Sequence, residues 1–165
     1  MFLILPETDD DAAEVELLYD QCFAPGRTAL SSYRLREGVA PVRELCRLIR
    51  DEYDAVIAAI RYWPVRIGAA GHPALLLGPV AVHPTRQGEG LAALLIVATL
   101  EDAEKAGWQR VILIGDEPYY GRFGFHRAGG LQFPPPTNPD RLLARELVPG
   151  AMQGVTGMVR GWESS

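Results

Sequence analysis

The sequence predicts an α/β fold in which a mixed sheet is flanked by helices, and three observations carry that reading. Residues 74–82 and Arg110–Ile114 are almost wholly apolar runs of strand length, as expected of central strands buried on both faces. Between them a helical stretch runs from about 88 to 106, so strand, helix and strand form one βαβ unit whose strands should be parallel. The 165 residues, 48% apolar and 22% charged, suit one ordinary globular domain over 1–165 with a core of its own.

The remaining elements follow in chain order. Residues 2–5 read as a short first strand, and Thr8-Asp9-Asp10-Asp11 supplies N-cap candidates for a helix to about Phe23, with Val15, Leu18 and Cys22 on one face. Ala24-Pro25-Gly26 ends that helix, and a weaker one is expected over 28–36. Residues 45–50 have helical spacing but are short. With the polar link Asp51-Glu52-Tyr53-Asp54 they read as the first arm of a β-hairpin into a strand over 55–63. Residues 68–73 read as a loop before the strand at 74–82. Pro79 removes a ladder donor inside that strand, which places it at a bulge or where the strand leaves its neighbour. The helix after the loop 83–87 is apolar nearly all round at first and charged later. Its start should be buried and its end exposed, with Gly107 as the stop. Residues 118–122 allow one short helix opened by Pro118, Pro134-Pro135-Pro136 is a loop, and 142–148 and 155–162 supply two closing strands or a strand and a tail.

Composition narrows the function. A formal charge of −5 argues against a general nucleic-acid binder, whose footprint is basic. It is compatible with an amine substrate, though net charge also serves solubility. Cys22 and Cys46 form no C-x-x-C pair and no zinc pattern with His72, His83 or His126, so free thiols in a reduced cytoplasm are expected. The apolar start Met1-Phe2-Leu3-Ile4-Leu5 meets Pro6-Glu7 at once and lacks the form of a signal peptide, and no apolar run reaches the ~20 residues of a membrane span. A cytoplasmic protein without metal, membrane or nucleic-acid partner is the expectation.

Gln87-Gly88-Glu89-Gly90-Leu91-Ala92 carries the chemistry. A helix start leaves its first amides unpaired at the positive end of the peptide dipoles, and a pyrophosphate can sit there where glycines let the backbone approach. Without a Gly-Lys-Ser/Thr sequence this is no P-loop. Gly88-Glu89-Gly90-Leu91-Ala92-Ala93 also satisfies G-x-G-x-x-A, but five residues separate Val82 from Gly88 where a dinucleotide turn is tight, and Asp116 comes late for a ribose ligand. Glycines that merely ease helix–strand packing are the plain alternative.

Gln87 to Ala92 also fits Q/R-x-x-G-x-G/A, and Tyr120-Gly121-Arg122-Phe123-Gly124-Phe125 fits Y-x-x-x-G-F. In this order and spacing the pair resembles the GNAT N-acetyltransferase superfamily. Leu77-Gly78-Pro79-Val80-Ala81-Val82-His83-Pro84 and Gly115-Asp116-Glu117-Pro118-Tyr119-Tyr120 further resemble a branch of predicted bacterial acetyltransferases. The resemblance implies a central mixed, largely antiparallel twisted sheet in which the parallel pair splays apart to admit the pantetheine of acetyl-CoA. Main-chain groups of Val80, Ala81 and Val82 would hold the arm, a Val82 amide would polarise the acetyl carbonyl, and Gln87, Gly88, Glu89, Gly90, Leu91 and Ala92 would hold the pyrophosphate.

The implied chemistry is direct attack of an amine on the thioester, with Tyr120 protonating the departing thiolate as general acid; Tyr119 is read as packing or pocket lining. Neither cysteine lies near the motifs in sequence, which disfavours an acetyl-enzyme. The general base is not readable: Glu52, Asp54 and Asp116 are candidates through water, while His83 and His126 read as loop or surface residues. The family's asparagine after the second parallel strand is replaced here by Gly115-Asp116. Gly124-Phe125 reads as a tight turn and a buried ring that fix the helix of Tyr120, and Trp63 and Tyr62 as core residues or lining of an acceptor pocket. The leading reading is an acetyltransferase for a small-molecule or peptide amine. The alternative is a CoA-binding regulatory or structural module without turnover; a nicotinamide oxidoreductase lacks room for a second nucleotide half. An exposed sheet edge is compatible with a homodimer.

Overall fold

The computed structural model describes residues 2–23, 27 and 30–162. The turn expected at 24–26 and the first residues of the helix expected over 28–36 lie outside them. Among the described residues no helix is long and apolar enough to cross a membrane, and no group of three or more His, Cys, Asp or Glu is placed to hold a metal ion.

The sheet begins with β1 (Ile4–Pro6), β2 (Arg47–Arg50) and β3 (Val56–Ile67), antiparallel neighbours in that order, and β4 (His72–Val82) follows antiparallel to β3. β5 (Arg110–Ile114) is parallel to β4, β8 (Leu142–Glu146) is antiparallel to β5, and the short β6 (His126–Arg127) closes that edge. β7 (Leu131–Gln132) and β9 (Gly157–Gly161) pair with each other, and β9 pairs with the far end of β3. The mixed sheet is therefore largely antiparallel, as expected, with the central pair β4 and β5 parallel and the short β7 parallel to β9. The hairpin reading of 45–50 holds, and both closing segments are strands.

β3 runs past Trp63, where the sequence reading ended it. Pro64 is tolerated because β3 changes partner there, from β2 at Ile60 and before to β9 from Val65 on. Val42 N–H donates to Tyr62 O at 2.9 Å and Gly68 N–H to Met158 O at 2.8 Å, so residues 62, 64, 66 and 68 turn their main-chain groups to that edge. The donor that Pro64 lacks would face the stretch between two partners.

Helices cover both faces. α1 (Ala12–Cys22) buries Val15, Leu18 and Tyr19 against Leu48, Ala59 and Ala81. α3 (Leu91–Lys105) buries Leu91, Leu95, Ile96 and Leu100 against Ala58, Ile60 and Tyr62 on the opposite face, as the two-residue period of a strand requires. The short α2 (Ser31–Arg34) precedes β2. α3 starts three residues later than expected, because Gly90 is its N-cap in the left-handed conformation at φ +77°. Its first half is not buried all round: Leu94 and Val97 are exposed. Gly107, at φ +94°, ends the turn after it as expected.

Candidate active site

The site begins with a break in β4. Ile60 faces Val80 and Tyr62 faces Leu77, so Gly78 and Pro79 together oppose Arg61 in a β-bulge, where Pro79 removes no ladder bond. Gly78 has φ +137°, a conformation that favours glycine. Side chains fix the bulge: Trp63 Nε1 donates to Gly78 O at 2.9 Å and the Tyr19 hydroxyl to Pro79 O at 3.0 Å. Burial raises the Tyr19 phenol well above its ordinary range and keeps it a donor.

Beyond the bulge β4 keeps β3 but loses β5, whose parallel pairing is confined to Leu75 with Val111 and Leu76 with Ile112. A gap opens between the two strands. His83 N–H donates to Ile57 O at 2.8 Å, which fixes the alternation: Ala81 turns its main chain to β3, and Val80 and Val82 turn theirs to the gap.

The cradle lies at the end of that gap. After a 3₁₀ turn at Pro84–Arg86, Gly88 and Gly90 take φ +90° and +77°. A Cβ on either would meet nothing within 4 Å, so the backbone conformation, not crowding, requires glycine. The first helical bond of α3 runs from Leu94 N–H to Gly90 O at 3.0 Å, so the amides ahead of it have no partner within the helix. Glu89 turns its side chain to Arg86 at 2.7 Å and offers the cradle only its main chain; Gln87 Nε2 lies 3.5 Å from Val82 O. The resulting cleft, about 580 Å³, is lined by Val80, Val82, the Gln87–Ala93 turn without Glu89, and Arg86, Tyr119, Tyr120 and Arg122. The two arginines were missed in the sequence, although Arg122 lies inside the second motif.

Tyr120 ends α4 (Glu117–Tyr120), and Gly124 at φ +87° turns the chain so that Phe125 is fully buried beneath it. The ring sits between Tyr119 and Phe125, at 4.9 and 6.1 Å, and its other neighbour is the backbone of Gly115. A Cβ at Gly115 would approach the ring to 2.4 and 2.8 Å, so the residue in place of the expected asparagine makes room for Tyr120. Burial first, then the neighbouring Tyr119 hydroxyl and Asp116 carboxylate, pushes the phenol up to about 12.

A second pocket, about 440 Å³, opens on the other side of the splay and shares Val80 and Tyr120 with the first. Leu76, Leu77, Pro79 and Leu113 form its apolar wall, and Arg27, Tyr33, Arg36 and Arg141 its polar side. Tyr62 takes no part: its hydroxyl bonds Thr99 Oγ1 at 2.8 Å inside the core. Trp63 lies behind the pocket, holding the bulge. None of Glu52, Asp54, Asp116, His83 and His126 lines either cleft; Asp116 accepts from Arg141 Nε at 3.2 Å, and His83 Nδ1 caps the turn at Thr85. One correction concerns Cys22. Distant from the motifs in sequence, it lies beside them in space, with Sγ 3.3 Å from Val82 O. Burial raises this thiol, which acts as a hydrogen-bond donor.

The sequence that builds these two clefts matches a known family. The acetyltransferase (GNAT) domain model covers residues 4–128. The chain belongs to the GNAT acetyltransferase family. It is 28% identical over 159 residues to the uncharacterised N-acetyltransferase YhbS of Escherichia coli strain K12, across 95% of this chain and 94% of that protein. The crystal structure of Escherichia coli YhbS in complex with CoA superposes with a TM-score of 0.84 over 98% of this chain and 90% of that one. A GNAT family acetyltransferase from Brucella melitensis, solved with acetyl-CoA, is 31% identical with a TM-score of 0.62, covering 76% of this GNAT chain and 82% of the other.

Proposed function

We propose that residues 1–165 act as one acetyltransferase domain that binds acetyl-CoA in the first cleft and an amine in the second. The reading rests on the meeting of the two clefts at Val80 and Tyr120. The pyrophosphate lies against the amides of Gly88, Gly90, Leu91 and Ala92, with Arg86 and Arg122 beside it. The pantetheine runs along Val82 and Val80 in place of the missing neighbour strand. The Val80 amide, at the junction, polarises the thioester carbonyl as charge develops on its oxygen. The amine nitrogen attacks that carbon, the C–S bond breaks, the thiolate takes the Tyr120 proton, the acceptor nitrogen gives up its proton to water, and water returns a proton to Tyr120 before the next turnover. With no carboxylate or imidazole lining either cleft among the described residues, the amine enters in its neutral form.

Acetyl-CoA is expected to raise the melting temperature, by the mass-action stabilisation of a ligand bound only to the folded state, whereas NADH should not. Differential scanning fluorimetry with both ligands checks this, and stabilisation by NADH alone would refute the proposal. Acetyl-CoA binding without turnover of any amine would favour the regulatory module instead.

A further inference from the structure

We infer that the amine acetylated by this protein carries an anionic group, a carboxylate or a phosphate, and that Arg36 binds it; the inference rests on the acyl-transfer reading above. Nε and Nη1 of Arg36 are buried without a hydrogen-bond partner, although the residue lines the second pocket. The guanidinium lies 4.0 Å over the Tyr33 ring and 5.2 Å from the Trp63 ring, so its plane is held in place. Its Nη2 passes over Gly78, where a Cβ would stand 3.8 Å away, beside the bulge that separates the two clefts.

The neighbouring arginines are already neutralised. Arg27 bonds Glu16 at 2.5 Å and Asp20 at 3.0 Å, and Arg141 bonds Asp116 at 3.2 Å. Arg61, behind the bulge, bonds Glu7 and Glu16. Arg36 alone in this group has no carboxylate, and no Asp or Glu lines the pocket among the described residues. Arg36 is half-buried, with unmade hydrogen bonds at Nε and Nη1, and an oxyanion in the pocket supplies both charge and acceptors in the planar geometry that arginine prefers. Leu76, Leu77, Pro79 and Leu113 form an apolar wall opposite, Ser32 and Asn138 add neutral polar groups, and Val80 and Tyr120 are shared with the first cleft, so an acceptor anchored on Arg36 directs its amine at the thioester.

Calorimetric titration of the CoA-loaded full chain tests this with matched pairs: β-alanine against β-alaninamide, γ-aminobutyrate against its amide, and 2-aminoethyl phosphate against ethanolamine. At least one anionic member should bind about 10- to 100-fold more tightly than its neutral partner, the size of effect of a charged hydrogen bond. The pair that responds distinguishes carboxylate from phosphate. Arg36→Met should abolish the preference while keeping or raising the melting temperature, because it removes an unpaired buried charge; Arg36→Lys should restore part of it. Equal binding of all pairs, or a preference that survives Arg36→Met, overturns the inference, as does strong destabilisation by Arg36→Met with the preference kept by Arg36→Lys undiminished. Loss of acetyl-CoA stabilisation in the parent protein would instead refute the acyl-transfer reading itself.

Discussion

Tyr120→Phe is expected to lower kcat by about 10²–10⁴-fold, the range supplied by a positioned proton donor, while affinity for acetyl-CoA stays essentially unchanged. The ring keeps its packing against Tyr119 and Phe125, and only the hydroxyl is lost. Because burial pushes this phenol up to about 12, it holds its proton well beyond the pH at which a solvated tyrosine, near 10, has ionised. The parent kcat should therefore rise with deprotonation of the acceptor amine and show no falling limb from Tyr120 below about pH 11. Gly115→Ala separates position from identity. Gly115 does not have a positive φ, so alanine suits the backbone, yet its Cβ collides with the ring. The phenol is present but displaced, and kcat should fall nearly as far as in Tyr120→Phe. Steady-state kinetics with acetyl-CoA binding measured separately decide both cases. Full kcat in Tyr120→Phe would move the proton source elsewhere.

The donor side of this site could be read in the sequence because its constraints are local. Gly88 and Gly90 are required by the backbone of one turn, Pro79 by the geometry of one bulge, and Gly124 by the turn that carries Tyr120. Each leaves a mark at its own position. The acceptor side is assembled from distant segments. Arg36 reaches the pocket by stacking on Trp63 and lying over Gly78, and on the donor side Cys22 likewise reaches Val82 O only through the packing of α1 on the sheet. No periodicity or spacing encodes such contacts. The same distinction explains the fold errors. The sequence reading ends the strand at Trp63, whereas β3 continues through Pro64, which the change of partner from β2 to β9 makes harmless. The sequence reading starts α3 at about Gly88, whereas Gly88 belongs to the cradle and Gly90 is the cap.

Glu7→Ala is expected to destabilise the fold by about 3–5 kcal/mol, the cost of removing one partner of a buried ion pair. Arg61 donates from Nε to Glu7 Oε1 at 3.0 Å and from Nη2 to Oε2 at 2.8 Å, a bidentate pair whose side chains are 10% and 5% exposed. Glu16 accepts from Nη1 at 3.0 Å, but it is 48% exposed and shared with Arg27, so it cannot replace Glu7. The loss should appear as a fall of about 10 °C in melting temperature for a chain of this size. Converting the pair together, Glu7→Leu with Arg61→Met, should recover most of the stability, because the desolvation of both charges disappears with them. Chemical denaturation of Glu7→Leu, Arg61→Met and the double variant closes the cycle. A loss below about 1 kcal/mol in Glu7→Ala would place the pair with exposed ones and sink the argument. The consequence reaches the site. Arg61 lies opposite the bulge and 5.3 Å from the Tyr19 ring whose hydroxyl holds Pro79 O, so the singly charged variants should lose turnover at temperatures where the double variant keeps it.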